Sequence, residues 1–203
     1  MPTESLRQRQ ATLARHAIFD ALVRHLEQGD ADEVAMEDLA IEAGVSRRTL
    51  YRYFPTRADL LAAASDWIRT DVLQLPIEIG DEGIAQSFRE AAAQLEARPQ
   101  LARALLRSAT GRAVRRGYRS ARVEAIRRAL RREVPNGSAS KREMDGAAAV
   151  LSYLCSSSAW ITLQDDAGLS ADQAQAAVEW AIETLLARLR DGGSPSPKRG
   201  GKR

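Results

Sequence analysis

The stretch LAIEAGVSRRTLYRYF, residues Leu39 to Phe54, carries most of what this chain discloses about its fold. Apolar and small residues fall at Leu39, Ala40 and Ala43, on one face of a short helix that begins near Met36. Gly44 supplies the left-handed residue that ends a helix, and Ser46 is placed to cap the next one, Arg47 to Phe54. Small Ala40 and Ala43 let the two helices approach closely, while Val45 and Leu50 fill the angle between them. This is the arithmetic of a helix-turn-helix. The second helix has few apolar residues and carries Arg47, Arg48, Thr49, Tyr51, Arg52 and Tyr53. A helix of that width fits the major groove of DNA, where its N-terminal residues meet base edges. Ser46, the backbone N–H groups after it and the tyrosine hydroxyls suit phosphates. Ordinary bundle packing would account for an Ala/Gly turn alone. It does not account for an Arg/Thr/Tyr helix between two caps.

Reading outward, a first helix is predicted from about Glu4 to Gln28. It has a row at Leu13, Ala17 and Ala21 and a second row at Ile18, Leu22 and Leu26, and Gly29-Asp30 ends it. After Pro55, Thr56-Arg57-Ala58-Asp59 reads as a cap with an acid at the third position, opening a helix over about 57–73. Asp81 is placed to cap a helix ending near Arg98; further helices are predicted from Pro99 to a break at Gly111, and on to about Val134. Pro135-Asn136-Gly137 is a turn. Capping boxes at Ser140–Glu143 and Ser170–Gln173 open two last helices, about 141–164 and 171–190. The prediction is an all-α chain of about nine helices without a convincing strand.

Composition agrees: of 203 residues, 44% are hydrophobic, 28% charged and only 5% aromatic. That balance excludes a wholly disordered chain. No apolar run is long enough to span a membrane, and the start has no secretory pattern. The lone Cys155 excludes an internal disulfide and a cysteine-based zinc cluster. These features favour a cytoplasmic protein. The net charge is +3, unevenly spread. Arg47, Arg48, Arg52 and Arg57 form a locally basic stripe on an otherwise acidic first 60 residues. A second basic run, 98–132, reads most simply as solvated helix faces with long aliphatic stems. The tail 191–203 is Gly, Ser, Pro and cations after Asp191 and is expected to be disordered.

The run from Leu39 to Leu60, with AGVS, TLYRYF and then Arg57-Ala58-Asp59-Leu60-Leu61, resembles the DNA-binding domain of the tetracycline-repressor (TetR/AcrR) family. The resemblance implies a helix-turn-helix domain over 1–60, a linking fourth helix, and a helical effector-binding and dimerisation domain over 61–190. It implies phosphate contacts by Ser46, Arg47, Tyr51, Tyr53 and Arg57, and base reading by Arg48, Thr49 and Arg52, with Tyr51 serving both. Ala35 departs from the family, which usually has a capping Ser or Thr there. The resemblance further implies a homodimer through the two C-terminal helices and a small-molecule effector. Trp67, Phe88, Leu105, Tyr118, Tyr153 and Trp160 are apolar helical residues available to line its pocket, though each also suits a core.

Elsewhere the sequence carries little chemistry. His16 and His25 are nine apart, on opposite sides of the first helix, so they are not a metal pair. Cys155 reads as a small buried hydrophobe, and Ser156-Ser157-Ser158 lacks a nearby base. No metal spacing, phosphate loop or catalytic carboxylate pair is present, so neither a cofactor nor an enzyme is expected. The leading hypothesis is a DNA-binding repressor released from a palindromic operator by an effector. The alternatives are a helix-turn-helix regulator controlled by a protein partner and a helical carrier or enzyme.

Overall fold

A computed structural model describes residues 5–29, 34–76, 78–135 and 137–192. Among them it is all helical. The elements are α1 (Leu6–Gln28), α2 (Met36–Glu42), α3 (Arg47–Tyr53), α4 (Arg57–Trp67), α5 (Gly83–Ala97), α6 (Pro99–Arg107), α7 (Ala109–Glu133), α8 (Lys141–Leu154), α9 (Ser157–Asp165) and α10 (Ala171–Arg190). A π-helical turn, Ile68–Val72, continues α4. The chain divides into two compact units: the first holds residues to Gln74 with Arg98–Tyr118, the second Leu75–Ala97 and everything from Arg119.

In the first unit, α1 packs on α2 and α6, and α2 on α3. Ser5 and Gln8 form the capping box of α1, and Gly29 ends it at φ 89°. Ile18, Leu22 and Leu26 are fully buried, with Leu39 of α2, Leu50 of α3 and Leu60 of α4. The predicted Leu13–Ala17–Ala21 row is only partly core: Leu13 is 69% exposed, and burial along α1 starts at Ile18. Phe19 meets Phe54 and Trp67 in tilted ring contacts, each 5.4 Å between centroids. Arg98 reaches Glu27 at 2.6 Å, tying the start of α6 to the end of α1. The predicted break at Gly111 lies instead at Ser108, whose hydroxyl accepts the Gly111 amide at 2.8 Å. Gly111 sits inside α7 because a Cβ there would stand 2.3 Å from the Ala104 carbonyl oxygen and 2.5 Å from Leu105 Cα. The glycine answers a close approach rather than a break.

In the second unit, α10 packs against α5, α8 and α9. Ala174, Val178, Ile182, Leu186 and Leu189 form its buried stripe. Glu133, at the end of α7, accepts the Ile84 amide of α5 at 2.9 Å, and Arg190 Nη2 stands 3.3 Å from the same carboxylate. That carboxylate fills the capping role expected of Asp81, and α5 begins at Gly83. Arg89 holds Glu179 through two bonds, at 3.1 and 2.8 Å. Hydrogen bonding from Arg89 keeps the Glu179 carboxyl below the ordinary carboxylate range. Several arginines of the 98–132 run are similarly engaged: Arg127 lies beside Asp145, Arg128 beside Glu78, and Arg132 donates to the Gly80 carbonyl.

The two capping boxes at Ser140 and Ser170 form as predicted, but the helix expected over 141–164 is two. It breaks at Cys155-Ser156, and α8 and α9 meet at a bend of 52°. The Ser156 hydroxyl donates to the Tyr153 carbonyl at 2.6 Å and accepts the Ala159 amide at 3.3 Å, which satisfies groups the break frees. Among the described residues no single helix is long and apolar enough to cross a membrane. The tail beyond Gly192 lies outside the described residues.

Candidate nucleic-acid interface

Helix α3 begins at its cap. Ser46 Oγ accepts the Thr49 amide at 3.1 Å and lies 2.9 Å from Thr49 Oγ1, so the two hydroxyls form one hydrogen-bonded edge at the helix start. Ala43 and Gly44, the latter at φ 66°, turn the chain from α2 into this cap. By contrast α2 starts at Ala35, which gives no side-chain cap. Of the seven residues of α3, only Leu50 is buried. The helix is therefore anchored by one side chain and by Phe54 just beyond it, 2% exposed.

The remaining α3 side chains are held mostly by one another. Arg47 Nη2 lies 2.8 Å from Glu37 Oε1 on α2, and its guanidinium stands 5.6 Å from the centre of the Tyr51 ring. The Tyr51 hydroxyl donates to the same Glu37 oxygen at 3.2 Å. Arg52 lies 4.9 Å from the Tyr53 ring centre and donates to its hydroxyl at 3.1 Å. Arg48 is exposed with no hydrogen bond or ion pair among the described residues. Arg57, at the first position of α4, donates to Thr110 Oγ1 of α7 at 2.5 Å. Thr110 itself is fully buried.

The sequence-predicted DNA residues thus form one group on and around α3, with Arg57 turned to Thr110. Glu37 and Thr110 were not singled out by sequence. The partners of Glu37 are ten and fourteen residues away. On the α1 side, Arg24 Nε donates to Glu42 at 2.5 Å and ties α2 to α1, and His25 Nε2 lies 2.8 Å from the same carboxylate.

The six candidate effector residues fall in both units. Trp67 lines a surface cleft of about 310 Å³ with His16, Phe19, Asp66 and Asp71, and Leu105 is buried in the same unit. Phe88 and Trp160 are buried in the core of the second unit, and Tyr153 is 57% exposed on α8. The Tyr118 side chain lies outside the described residues. Cys155, at the α8–α9 break, has its thiol pushed up to about 12 by burial.

Residues 18–64 match the family described as bacterial regulatory proteins, tetR family. An uncharacterized HTH-type transcriptional regulator of Mycobacterium tuberculosis is 43% identical over 61 residues, 30% of this chain and 30% of that one. The HTH-type transcriptional repressor LfrR of Mycolicibacterium smegmatis is 40% identical over 67 residues, 33% of this chain and 34% of that one. The chain thus spans about a third of the length of the curated relatives it matches. Similarity of fold extends further. The crystal structure of a TetR variant from Acinetobacter baumannii AYE in complex with minocycline aligns with a TM-score of 0.52 at 19% identity, covering 86% of this chain and 97% of that one. Residues 18–64, then, are similar to the tetR family of bacterial regulatory proteins.

Proposed function

We propose that the chain is a sequence-specific DNA-binding transcriptional repressor that works as a homodimer and releases its operator on binding a small molecule. The observation that carries the DNA reading is α3 itself: it buries only Leu50 and turns Arg47, Arg48 and Arg52 outward. In this reading Arg48, Thr49 and Arg52 meet base edges, while Ser46, Arg47, Tyr51, Tyr53 and Arg57 hold phosphates and fix the register. Residues 1–60 are the DNA-binding domain, the helical path through 57–73 links it onward, and 61–190 supply effector binding and dimerisation.

One recognition helix reads too few base pairs for useful selectivity, and a two-fold dimer doubles the site. Val150, Tyr153 and Trp180, exposed by 46%, 57% and 70% on α8 and α10, offer the apolar surface such a dimer would cover. The effector step draws on the minocycline complex of the fold relative. To switch the protein, the small molecule must favour the released state, since equal affinity for both states shifts nothing.

Selection of duplexes from a random pool at near-physiological salt tests the proposal. The expected product is an inverted repeat with half-sites about 34–36 Å apart. Failure to enrich any sequence overturns it. Arg57→Ala should weaken all duplexes alike and lower the slope of log K against log salt by about 0.9. A sequence-selective loss would reassign Arg57 to base reading. A ligand that binds without changing operator affinity at fixed salt refutes the effector step.

A further inference from the structure

Among the described residues Glu37 is the one acid paired with an α3 cation, and one of its oxygens serves two residues of that helix. Oε1 lies 2.8 Å from Arg47 Nη2 and accepts the Tyr51 hydroxyl at 3.2 Å. Arg47 and Tyr51 are one helical turn apart, and the guanidinium lies 5.6 Å from the Tyr51 ring centre. The three side chains form a closed cluster across the α2–α3 pair. They are not buried: the Arg47 side chain is 70% exposed and that of Glu37 41%. An exposed pair of this kind adds little stability. Its consequence lies in what else Arg47 can touch.

We propose that Glu37 is a positioning residue for DNA selectivity: by holding Arg47 and Tyr51 it withholds one cation from phosphate-only binding. This rests on the DNA reading above. In a complex seated by the base contacts of α3, Arg47 meets its phosphate from the place where Glu37 holds it, through the exposed N–H groups that Glu37 leaves open, and the pair stays made. In a loosely seated complex, affinity comes from however many cations reach phosphates. There Arg47 must leave Glu37, and the bare carboxylate is left facing the negative backbone. Glu37 therefore penalises the wrong complex more than the right one, and selectivity is that difference.

The test uses Glu37→Gln in the full chain, measured on the pool-selected duplex and on a scrambled duplex of the same composition. Gln still accepts the Tyr51 hydroxyl but removes the negative charge that holds the Arg47 guanidinium. Affinity for the scrambled duplex should rise about threefold, and its salt slope should steepen by about 0.9, one more phosphate contact. Affinity for the selected duplex should change little, so the selectivity ratio falls. In an Arg47→Ala background the same substitution should do nothing. An equal change on both duplexes, or an effect that persists without Arg47, overturns the proposal. Thermal unfolding of the variant should match the parent, since a purely structural role would move stability and leave the ratio alone. If the parent chain selects no duplex, the DNA reading itself fails, and that result appears before any substitution is made.

Discussion

Two places in this chain use the same local device to opposite ends. At Ser46 and at Ser156 a serine interrupts a helical path and caps a new short helix, of seven residues in α3 and nine in α9. Each hydroxyl accepts the backbone amide three residues on, Thr49 in one and Ala159 in the other. After the caps the two helices diverge. Helix α3 buries Leu50 alone, whereas α9 buries Ala159, Trp160 and Ile161 in succession. A cap sets where a helix starts; the residues after it set whether that helix serves the core or the surface.

Substitutions can break this comparison. The largest effect should come from Trp160→Ala, 1% exposed in α9, at a cost of about 3–5 kcal/mol in chemical denaturation. A loss below 1 kcal/mol would mean that α9 is not a core helix. Its counterpart, Arg48→Ala in α3, should leave denaturation unmoved. It should instead cost about 1–3 kcal/mol in binding to the selected duplex, with selectivity relaxed at one position. A loss uniform over all sequences would make Arg48 a phosphate contact.

The caps sharpen the comparison further. Ser46→Ala and Ser156→Ala should each cost about 1 kcal/mol of stability, read from denaturation midpoints, because each removes one amide acceptor. Only the first should also weaken DNA binding. At neutral pH the smallest effect concerns Cys155, beside the second cap. Its thiol is raised from 9.0 to about 12, chiefly by burial. A raised value in the folded state means stability that is fully present below pH 9 and lost as pH climbs toward 12. Cys155→Ala should flatten that alkaline loss in pH-dependent denaturation, and the native thiol should label slowly at pH 8.

The same pair explains how much of the molecule was legible in the sequence. The α2–α3 turn was readable because Gly44 and Ser46 are local signals of a helix end and a helix start. At Cys155-Ser156 there is no Gly or Pro, and the capping boxes at 140 and 170 framed what looked like one uninterrupted helix. Gly111 misled in the other direction, since a glycine demanded by a nearby backbone looks in sequence like one that ends a helix. The interface was legible as a set of cations and hydroxyls but not as a network. Glu37 pairs across the turn, and Arg57 finds Thr110 at a separation of 53 residues, beyond the reach of any local pattern. Aromatic residues chosen for a pocket could not be told from core by composition; Phe88 and Trp160 are buried and Tyr153 is outside.

Gly111 has a companion in Gly117, where a Cβ would stand 2.3 Å from Ser65 Oγ and 2.9 Å from Ser65 Cβ. Ser65 cannot readily swing aside, because its hydroxyl donates to the Val114 carbonyl at 2.7 Å. Both glycines lie on the stretch of α7 that also carries Arg112, Arg115 and Arg116. This short segment therefore combines positions open to drift with positions closed to it. Across diverging descendants the exposed Arg116 can be exchanged for another long polar residue, while the two glycines admit no side chain without displacing what they face. The history of this part of the protein is constrained by where matter is absent more than by which charges are present.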